Sequence, residues 1–577
     1  GISQAYDDFT IGDAAVLITT SSGNITIDAA ANDSDIILKG TDGNSDTTFL
    51  TIDGSAAGAA TFNSTVTGTS FNGIPFFSGD TGSIYTHDVS GTDDTASGNT
   101  AFGIQAMDAI TTGDNNTAIG YQALSALTTG TVNTAVGYDT LTINTTGSYN
   151  TAMGPTALDA NTTGSYNTGI AYRTLSANID GDKNTAIGYN SMEANTTADN
   201  NVAVGAQSLQ ANTTGTNNTA VGYDALNDNV TTSGNTAIGN QSLSKNIAAD
   251  NTAVGYLSLQ LNTTGAENTG IGRSALTANT TGAGNVAVGK NALTANTTAS
   301  FNTGVGKDAL EANTTGANNT ALGHKSLVVN TTGAENTAVG KDSLLANTTG
   351  AQNTAVGLSA LKANTTGADN TAYGAGALES NTTASNNVAV GRSALYTNVT
   401  GSENTALGRH ALQLNTASNN TALGHYALKV NAAGTSNTAV GGYTLRQNTS
   451  GDANVAMGYT ALNNNTTADN NVAIGYQAAQ ENTTGTRIIA IGANAYDASD
   501  TENDNIAIGY DAMTTNTAGG SENLALGNYA LDALTSGDGN VALGHMTLTA
   551  TNAGRHNIGV GYRALYTNTT ADNNVAV

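Results

Sequence analysis

From Asn99 to the end of the chain, apolar and polar residues recur in the same order every 17 residues. One copy, Asn133–Tyr149, reads N-T-A-V-G-Y-D-T-L-T-I-N-T-T-G-S-Y. When its residues are numbered from 1, alanine and valine fall at positions 3 and 4, glycine at 5, leucine at 9, and asparagine at 1 and 12. A short fixed period predicts a solenoid, in which each unit buries its apolar side only by stacking on its neighbours.

Positions 4 and 9 carry the larger apolar side chains of each copy. Position 4 is Val, Ile, Leu or Met in most copies, and position 9 is nearly always Leu. We predict that these side chains face inward from two opposed strands, with a small alanine before each of them letting the layers approach closely. The predicted core positions include Val136, Leu141, Ile187, Leu209, Val339 and Leu344.

Asparagine recurs at positions 1 and 12 of the copies. Identical residues stacked at the strand spacing of about 4.8 Å form ladders, and asparagine amides can hydrogen-bond up and down such a ladder. The predicted ladders contain Asn133, Asn150 and Asn184 at position 1, and Asn144, Asn161 and Asn195 at position 12.

The glycine at position 5 is replaced by Ala171 in one copy. A position that required a positive φ would penalise alanine. We therefore expect glycine to be present mainly because the turns approach each other closely there. Copies differ in length only after position 12, as between Asn246 and Asn251, which indicates that the variable residues form an outer turn.

Residues 1–98 do not share the repeat. Residues 1–77 contain short alternating segments separated by Gly, Ser, Asn and Asp, a pattern typical of strands. Residues 78–98 read as a polar connection, and residues 99–577 as the solenoid, whose pattern breaks off within a 29th copy and is expected to continue. The predicted N-terminal strands are Ala15–Thr19, Asn24–Asp28, Asp35–Lys39, Thr48–Asp53 and Ala60–Val66.

The fold class that follows is all-β: an elongated β-solenoid of about 28 tandem turns, preceded by a small β-rich region. At about 4.8 Å per turn, the repeats would extend on the order of 130 Å. Such a molecule serves as a spacer or as a display surface.

Composition narrows the possible functions. The formal net charge of −27 disfavours nucleic-acid binding, which needs a basic surface. No apolar run approaches the roughly 20 residues that span a bilayer, so we expect no membrane insertion in this segment. The sequence shows no catalytic, phosphate-binding or calcium-repeat motif, so we predict neither an enzyme nor a cofactor or metal site.

Position 6, the residue after the repeat glycine, is the one repeat position that suggests a binding site. It is Tyr in many early copies and becomes cationic in later ones. Like charges on successive turns repel each other. They are therefore either a solvated face or a stripe that binds an anionic glycan or a partner's carboxylates. The candidate stripe contains Arg273, Lys290, Lys307, His324, Lys341, Arg392 and Arg409.

The pentads N-T-A-V-G, N-T-A-I-G and N-V-A-V-G, such as Asn184–Gly188 and Asn201–Gly205, resemble the head repeats of trimeric autotransporter adhesins. Those repeats are built on a similar N-S-V-A-I-G unit, with a shorter usual period. The resemblance covers Asn99 to Val577 and implies that each chain winds a left-handed β-roll and that three rolls pack side by side. Similar repeats after a β-rich leader also resemble the fibres of tailed bacteriophages.

Together these features predict a structural and adhesive extracellular fibre, as in a phage tail fibre, located on a virion or cell surface. The expected partners are further copies of the chain, as a homotrimer, and a glycan or protein receptor on a cell surface; a monomer is the alternative to the trimer. A bacterial surface adhesin or a self-assembling filament is the alternative function. A rod that binds ice or another lattice through its rows of threonine is a further alternative.

Overall fold

The computed structural model describes residues 36–42, 45–53, 59–62, 70–71, 74–75, 77–78, 84–85, 95–516 and 519–577 of the chain. The chain divides into two compact units between Phe77 and Ser78. All regular elements of the described residues are β-strands, and none of these residues is helical. The predicted all-β class is confirmed.

The first unit consists of short antiparallel strands. Strands β1 (Ile36–Asp42), β2 (Ser45–Asp53) and β3 (Ala59–Phe62) form one sheet in that order, and β4 (Ser70–Phe71) pairs with β5 (Ile74–Pro75). The predicted strands are therefore confirmed over residues 36–39, 48–53 and 60–62. The rest of the 35–39 and 60–66 predictions, and the predicted strands at 15–19 and 24–28, lie outside the described residues. Strand β6 (Phe77–Ser78) lies at the boundary between the units.

The second unit is a single parallel sheet in which each strand from β7 onward pairs with the next one along the chain, in register. About 28 turns of about 17 residues each form the predicted β-solenoid. Its strands are β7 (Ile84–Tyr85), β8 (Thr100–Phe102), β9 (Thr117–Ile119), β10 (Thr134–Val136), β11 (Thr151–Met153), β12 (Thr168–Ile170), β13 (Thr185–Ile187), β14 (Val202–Val204), β15 (Thr219–Val221), β16 (Thr236–Ile238), β17 (Thr252–Val254), β18 (Thr269–Ile271), β19 (Val286–Val288), β20 (Thr303–Val305), β21 (Thr320–Leu322), β22 (Thr337–Val339), β23 (Thr354–Val356), β24 (Thr371–Tyr373), β25 (Val388–Val390), β26 (Thr405–Leu407), β27 (Thr421–Leu423), β28 (Thr438–Val440), β29 (Val455–Met457), β30 (Val472–Ile474), β31 (Ile489–Ile491), β32 (Ile506–Ile508), β33 (Leu524–Leu526), β34 (Val541–Leu543), β35 (Ile558–Val560) and β36 (Val575–Ala576).

The sheet begins earlier than the repeat pattern predicted. Within the segment interpreted as a polar connection, β7 pairs in parallel with β8, so that Ile84 lies opposite Thr100 and Tyr85 opposite Ala101. Tyr85 is fully buried although it occupies the place of the small alanine. The strand was missed because only its alternation of exposed and buried residues, and not its residue types, follows the repeat.

Each turn contains one strand of three residues at positions 2 to 4, so the prediction of two opposed strands is wrong. Position 9 lies in a segment of successive turns over positions 6 to 11. In the copy that begins at Asn133, Asp139, Leu141 and Tyr149 have φ of 53°, 52° and 59°. Residues in this left-handed region bend the chain sharply, so the segment returns across the core without forming a second strand.

On the strand side, the core contains a different repeat position from the one predicted. Leu141, Leu209 and Leu344 at position 9 are fully buried, as predicted. Position 4 is not buried: Val136 and Val339 are half-exposed, and Ile187 is 36% exposed. The buried strand residue is the preceding alanine at position 3. Because side chains alternate along a strand, burying asparagine at position 1 also buries position 3 and turns position 4 outward.

Both asparagine positions form hydrogen-bonded ladders inside the core. At position 1, the Asn150 backbone N–H donates to Asn133 Oδ1 at 3.0 Å, and at position 12 Asn161 Nδ2 donates to Asn144 Oδ1 at 3.0 Å. The two ladders meet within each turn, because Asn133 and Asn144 both donate Nδ2–H to the Gly147 carbonyl, at 2.9 and 3.0 Å. These bonds satisfy amides that would otherwise be costly to bury.

The repeat glycine at position 5 combines close approach with an unusual backbone. At Gly306 φ is 133°, and an added Cβ would lie 2.7 Å from the Gly323 carbonyl carbon in the next turn. Ala171, the single alanine at this position, has φ of 116°. The expectation that close approach is the main reason for glycine was therefore incomplete, since the position also requires positive φ.

Candidate ligand-binding stripe

The outward residues at positions 6, 7 and 10 form a surface that we call the turn edge. In one copy they are Tyr138, Asp139 and Thr142, while positions 8 and 9 between them are buried. Because the turns stack in register, residues at one position form a row from turn to turn. The rings of Tyr121 and Tyr138, both at position 6, stack with centroids 5.4 Å apart and planes 12° apart.

The seven predicted stripe residues lie on the position 6 row in two groups. The first group occupies five successive turns and the second group two, with Leu358 and Ala375 between them. All are exposed except His324, which is half-buried. The first group is Arg273, Lys290, Lys307, His324 and Lys341, and the second is Arg392 and Arg409.

Part of the first group is compensated by its neighbours. The Lys307 ammonium lies 3.4 Å from the Asp308 carboxylate, and that of Lys341 lies 3.7 Å from Asp342. Arg273 lies over the Tyr256 ring, with its guanidinium carbon 5.9 Å from the ring centroid. The two ion pairs offset part of the repulsion along the row and leave less charge available to a ligand.

The second group adjoins a cluster that was not predicted from the sequence. On three successive turns, beginning with the turn of Arg409, aromatic residues occupy position 7, and on the last two of these turns cations occupy position 10. We call this cluster the aromatic–cationic patch. It consists of His410, His425, Tyr426, Lys429, Tyr443 and Arg446, with Arg392 and Arg409 at its N-terminal side.

The rings of the patch contact one another across successive turns. His410 and Tyr426 stack with centroids 5.1 Å apart and planes 5° apart, and Tyr426 lies 5.4 Å from Tyr443. The row of rings then passes to position 6, where Tyr443 lies 5.8 Å from Tyr459, which stacks on Tyr476 at 5.9 Å. The rings of the patch, continued by Tyr459 and Tyr476, therefore lie on five successive turns.

The cations of the patch lie over these rings. Lys429 Nζ lies 5.0 Å from the Tyr426 centroid, and the Arg446 guanidinium carbon lies 5.5 Å from that of Tyr443 and 5.8 Å from that of Tyr426. Cation–π contacts of this kind hold a side chain in place. They leave the N–H groups of the cation free to bind an anion.

Burial and the nearby cations lower the pKa of His410. Loss of solvent is the largest cause, followed by the positive charges of Arg409, Lys429 and Arg392, and then His425. The His410 imidazole is therefore neutral at neutral pH and acts as a flat ring. His410 therefore adds no charge to the patch at that pH.

The patch could have been found by aligning the copies on their glycines. Position 7 usually holds Asp, Asn, Gln or Ser, but it changes to His410, Tyr426 and Tyr443 on three successive turns. Lys429 and Arg446 follow at position 10 on the last two of these turns. Position 6 alone does not contain this signal.

Two grooves also follow the turn edge. One of about 740 Å³ is lined by Asp159, Tyr172, Arg173 and Glu193 among others, and Arg173 pairs with Glu193 at 2.7 Å. Burial, the largest cause, raises the pKa of Asp159. The other groove, of about 300 Å³, includes Arg392 in its lining. The turn edge is thus concave in places where a chain-like ligand could lie.

Within the described residues, no three His, Asp or Glu side chains are placed to hold a metal ion. The same part of the chain contains no helix long and apolar enough to cross a membrane. No protein-family model, curated protein or solved structure matches this chain.

Proposed function

We propose that this chain forms the shaft and display surface of an extracellular fibre, in which parallel copies associate side by side through the strand face of the solenoid. The observation that carries this proposal is the row of apolar side chains at position 4. Eleven members of the row are 40 to 58% exposed: Phe102, Ile119, Met153, Ile238, Ile271, Leu322, Tyr373, Leu407, Leu423, Met457 and Leu526.

This row continues along the sheet because the strands pair in register. Leu322 lies opposite Val339, and Leu407 lies opposite Leu423 on the next strand. Contiguous apolar patches larger than a few hundred Å² mark interaction sites on soluble proteins. A partner of the same length and period covers the row best, and a second copy of this chain has both.

The number of copies in the proposal is three. The chain resembles the heads of trimeric adhesins, and three solenoids that meet along one face each bury a continuous apolar row. The turn edge then remains on the outside, where it can contact a receptor on a cell surface. Attachment of a phage to its host is the favoured role, and a bacterial surface adhesin or filament is the alternative.

Light scattering of the native particle tests this proposal. We expect a mass near three times 57.5 kDa, and a mass near 57.5 kDa for a Leu322→Lys/Leu407→Lys double variant. Thr332→Lys, an exposed change at position 14, is the control and should leave the mass unchanged. A monomeric wild-type chain, or loss of association in the control but not in the double variant, would refute the proposal.

A second candidate function rests on the threonine row of the same face. Position 2 is Thr in most strands, and Thr134, Thr151 and Thr168 lie opposite one another and are half-exposed. Regular hydroxyl rows of this kind could match the surface of ice or of another lattice. Thermal hysteresis together with a monomeric mass would favour this function, and absence of hysteresis would exclude binding to ice.

A further inference from the structure

We propose that the aromatic–cationic patch binds an anionic polysaccharide, one whose sugars carry carboxylate or sulfate groups. This inference rests on the proposed function, because it specifies the chemical class of the receptor that the fibre would bind. Three observations support it: the charge of the patch, the arrangement of its rings, and its contrast with the first cationic group.

The patch is a positive area on a strongly acidic chain of net charge −27. On the three turns that begin at Asn404, Asn420 and Asn437, no carboxylate occurs at positions 6, 7 or 10. In the part of the chain that the structure describes, Lys429 and Arg446 form no ion pair, unlike Lys307 and Lys341. Their charges are therefore not neutralised by the protein itself.

The rings provide the second element of a sugar site. Aromatic side chains bind through a large apolar face at little entropic cost, and the apolar C–H face of a pyranose ring fits such a surface. Tyr459 and Tyr476, which continue the ring row, are 51 and 52% exposed. A polysaccharide lying along the row could rest one sugar after another against the outward sides of rings that recur with the turns.

Arg446 connects the two elements. Its guanidinium lies over the Tyr443 and Tyr426 rings, so the group is already held against the row of rings along which the polysaccharide would lie. The planar fork of a guanidinium matches the paired oxygens of carboxylate and sulfate. Because the cation is held in place beforehand, less side-chain entropy is lost on binding.

Single-stranded nucleic acid is the competing ligand, since it also combines stacking faces with negative charge. The overall charge of the chain favours a polysaccharide. A nucleic acid carries a phosphate on every nucleotide and is strongly repelled by an acidic protein, whereas a polysaccharide with fewer charges is repelled less.

The test is binding of the full chain to immobilised polygalacturonate, dextran sulfate and neutral dextran, measured at a fixed salt concentration. We expect binding to at least one of the two acidic polymers and not to neutral dextran. The acidic polymer that binds more tightly shows whether carboxylate or sulfate is preferred. Binding to neither acidic polymer, or tighter binding to a single-stranded oligonucleotide, would overturn the proposal.

The repeats supply substitutions that the turn already accepts. Gln occurs at position 10 in Gln413 and Gln480, and Ser at position 7 in Ser359 and Ser393. The first variant is therefore Lys429→Gln/Arg446→Gln, and the second is Tyr426→Ser/Tyr443→Ser. Each should weaken binding at least tenfold. The second variant tests the rings, because a polymer bound by charge alone would not be affected by their loss.

Lys290→Gln/Lys307→Gln is the matched control, because it removes the same charge from the position 6 row outside the patch. It should weaken binding less than twofold. Equal losses in the control and in Lys429→Gln/Arg446→Gln would show general electrostatic attraction and would overturn the proposal. The light-scattering mass of each variant is measured in parallel, so a failed glycan site can be distinguished from a failed fibre.

Discussion

Asn505 donates its side-chain Nδ2–H to the hydroxyl of Tyr496 at 2.8 Å. Both asparagine ladders are interrupted at this level, because Ile488 replaces the asparagine at position 1 and Ser499 the one at position 12. The Tyr496 hydroxyl also lies 3.4 Å from Asn516 Nδ2. One phenol at position 9, where leucine is usual, thus provides the acceptor for two amides whose ladder partners are missing.

Tyr496→Phe should therefore destabilise the turns on either side of the interruption. Removing the hydroxyl leaves buried amide donors with fewer acceptors, which costs about 1 to 3 kcal/mol. Hydrogen exchange of residues 488–516 should accelerate accordingly. Tyr459→Phe is the control, since its ring is 51% exposed. Equal exchange rates in both variants would show that the Tyr496 hydroxyl does not support the ladders.

The burial of position 9 and exposure of position 4 predict different costs of truncation. Leu310→Ala removes a fully buried side chain and should lower the free energy of unfolding by about 2 to 5 kcal/mol. Val305→Ala, on the outer side of strand β20, should cost about 1 kcal/mol or less. Chemical denaturation checks both values in the Leu322→Lys/Leu407→Lys background, in which the position 4 row is expected not to be covered by other copies. Similar costs would contradict the observed core.

Ala171→Gly should stabilise the solenoid. Alanine at φ 116° lies in a backbone region that costs of order 1 to 3 kcal/mol. Glycine removes this strain, although its greater conformational freedom in the unfolded chain offsets a smaller part of the gain. We expect a net gain of about 1 kcal/mol in chemical denaturation. Gly188→Ala in the next turn is the reverse test, because φ there is 127° and a Cβ would lie 2.7 Å from the Gly205 carbonyl carbon. A gain in Gly188→Ala would contradict this view of position 5.

The pH dependence of stability should show the effect of Asp497. Burial, the largest cause, together with the negative charge of Asp511, raises the pKa of Asp497 to about 6 from its ordinary 3.8. The folded state therefore binds the proton more tightly than the unfolded state. Above pH 6 the folded state bears the cost of a charged carboxylate, and this cost is relieved as the pH falls from 6 towards 3.8.

Asp497→Asn removes that cost, so its advantage should be largest at pH 7.5 and small at pH 4. After allowance for solvent screening, we expect about 1 kcal/mol at pH 7.5. Thermal unfolding of wild type and variant at both pH values measures this difference, because the remaining carboxylates are common to the two chains. An advantage that does not change with pH would exclude titration of Asp497 as its cause.

Much of the fold could be predicted from local pattern. The period gave the solenoid and its turn count, the leucines gave one side of the core, and paired asparagines such as Asn133 and Asn144 gave the ladders. The stripe was located at position 6, but Tyr426, Tyr443 and Arg446 were not included. Whether neighbouring residues compensate a cation, as Asp308 does for Lys307, depends on side-chain geometry, so the pattern could not divide the stripe into its two groups.

The sequence by itself determined which residues form rows. With a 17-residue period, residues at the same position stack in register from turn to turn, and this holds whatever path the chain takes within a turn. Only the tertiary structure decided which rows face inward. Val136 and Leu141 are equally apolar in the sequence, yet the core takes Leu141 and leaves Val136 half-exposed. The physical reason is that the buried asparagine sets the alternation of the strand, while left-handed residues in the following turn direct the leucine inward. Neither constraint is visible in hydrophobicity alone.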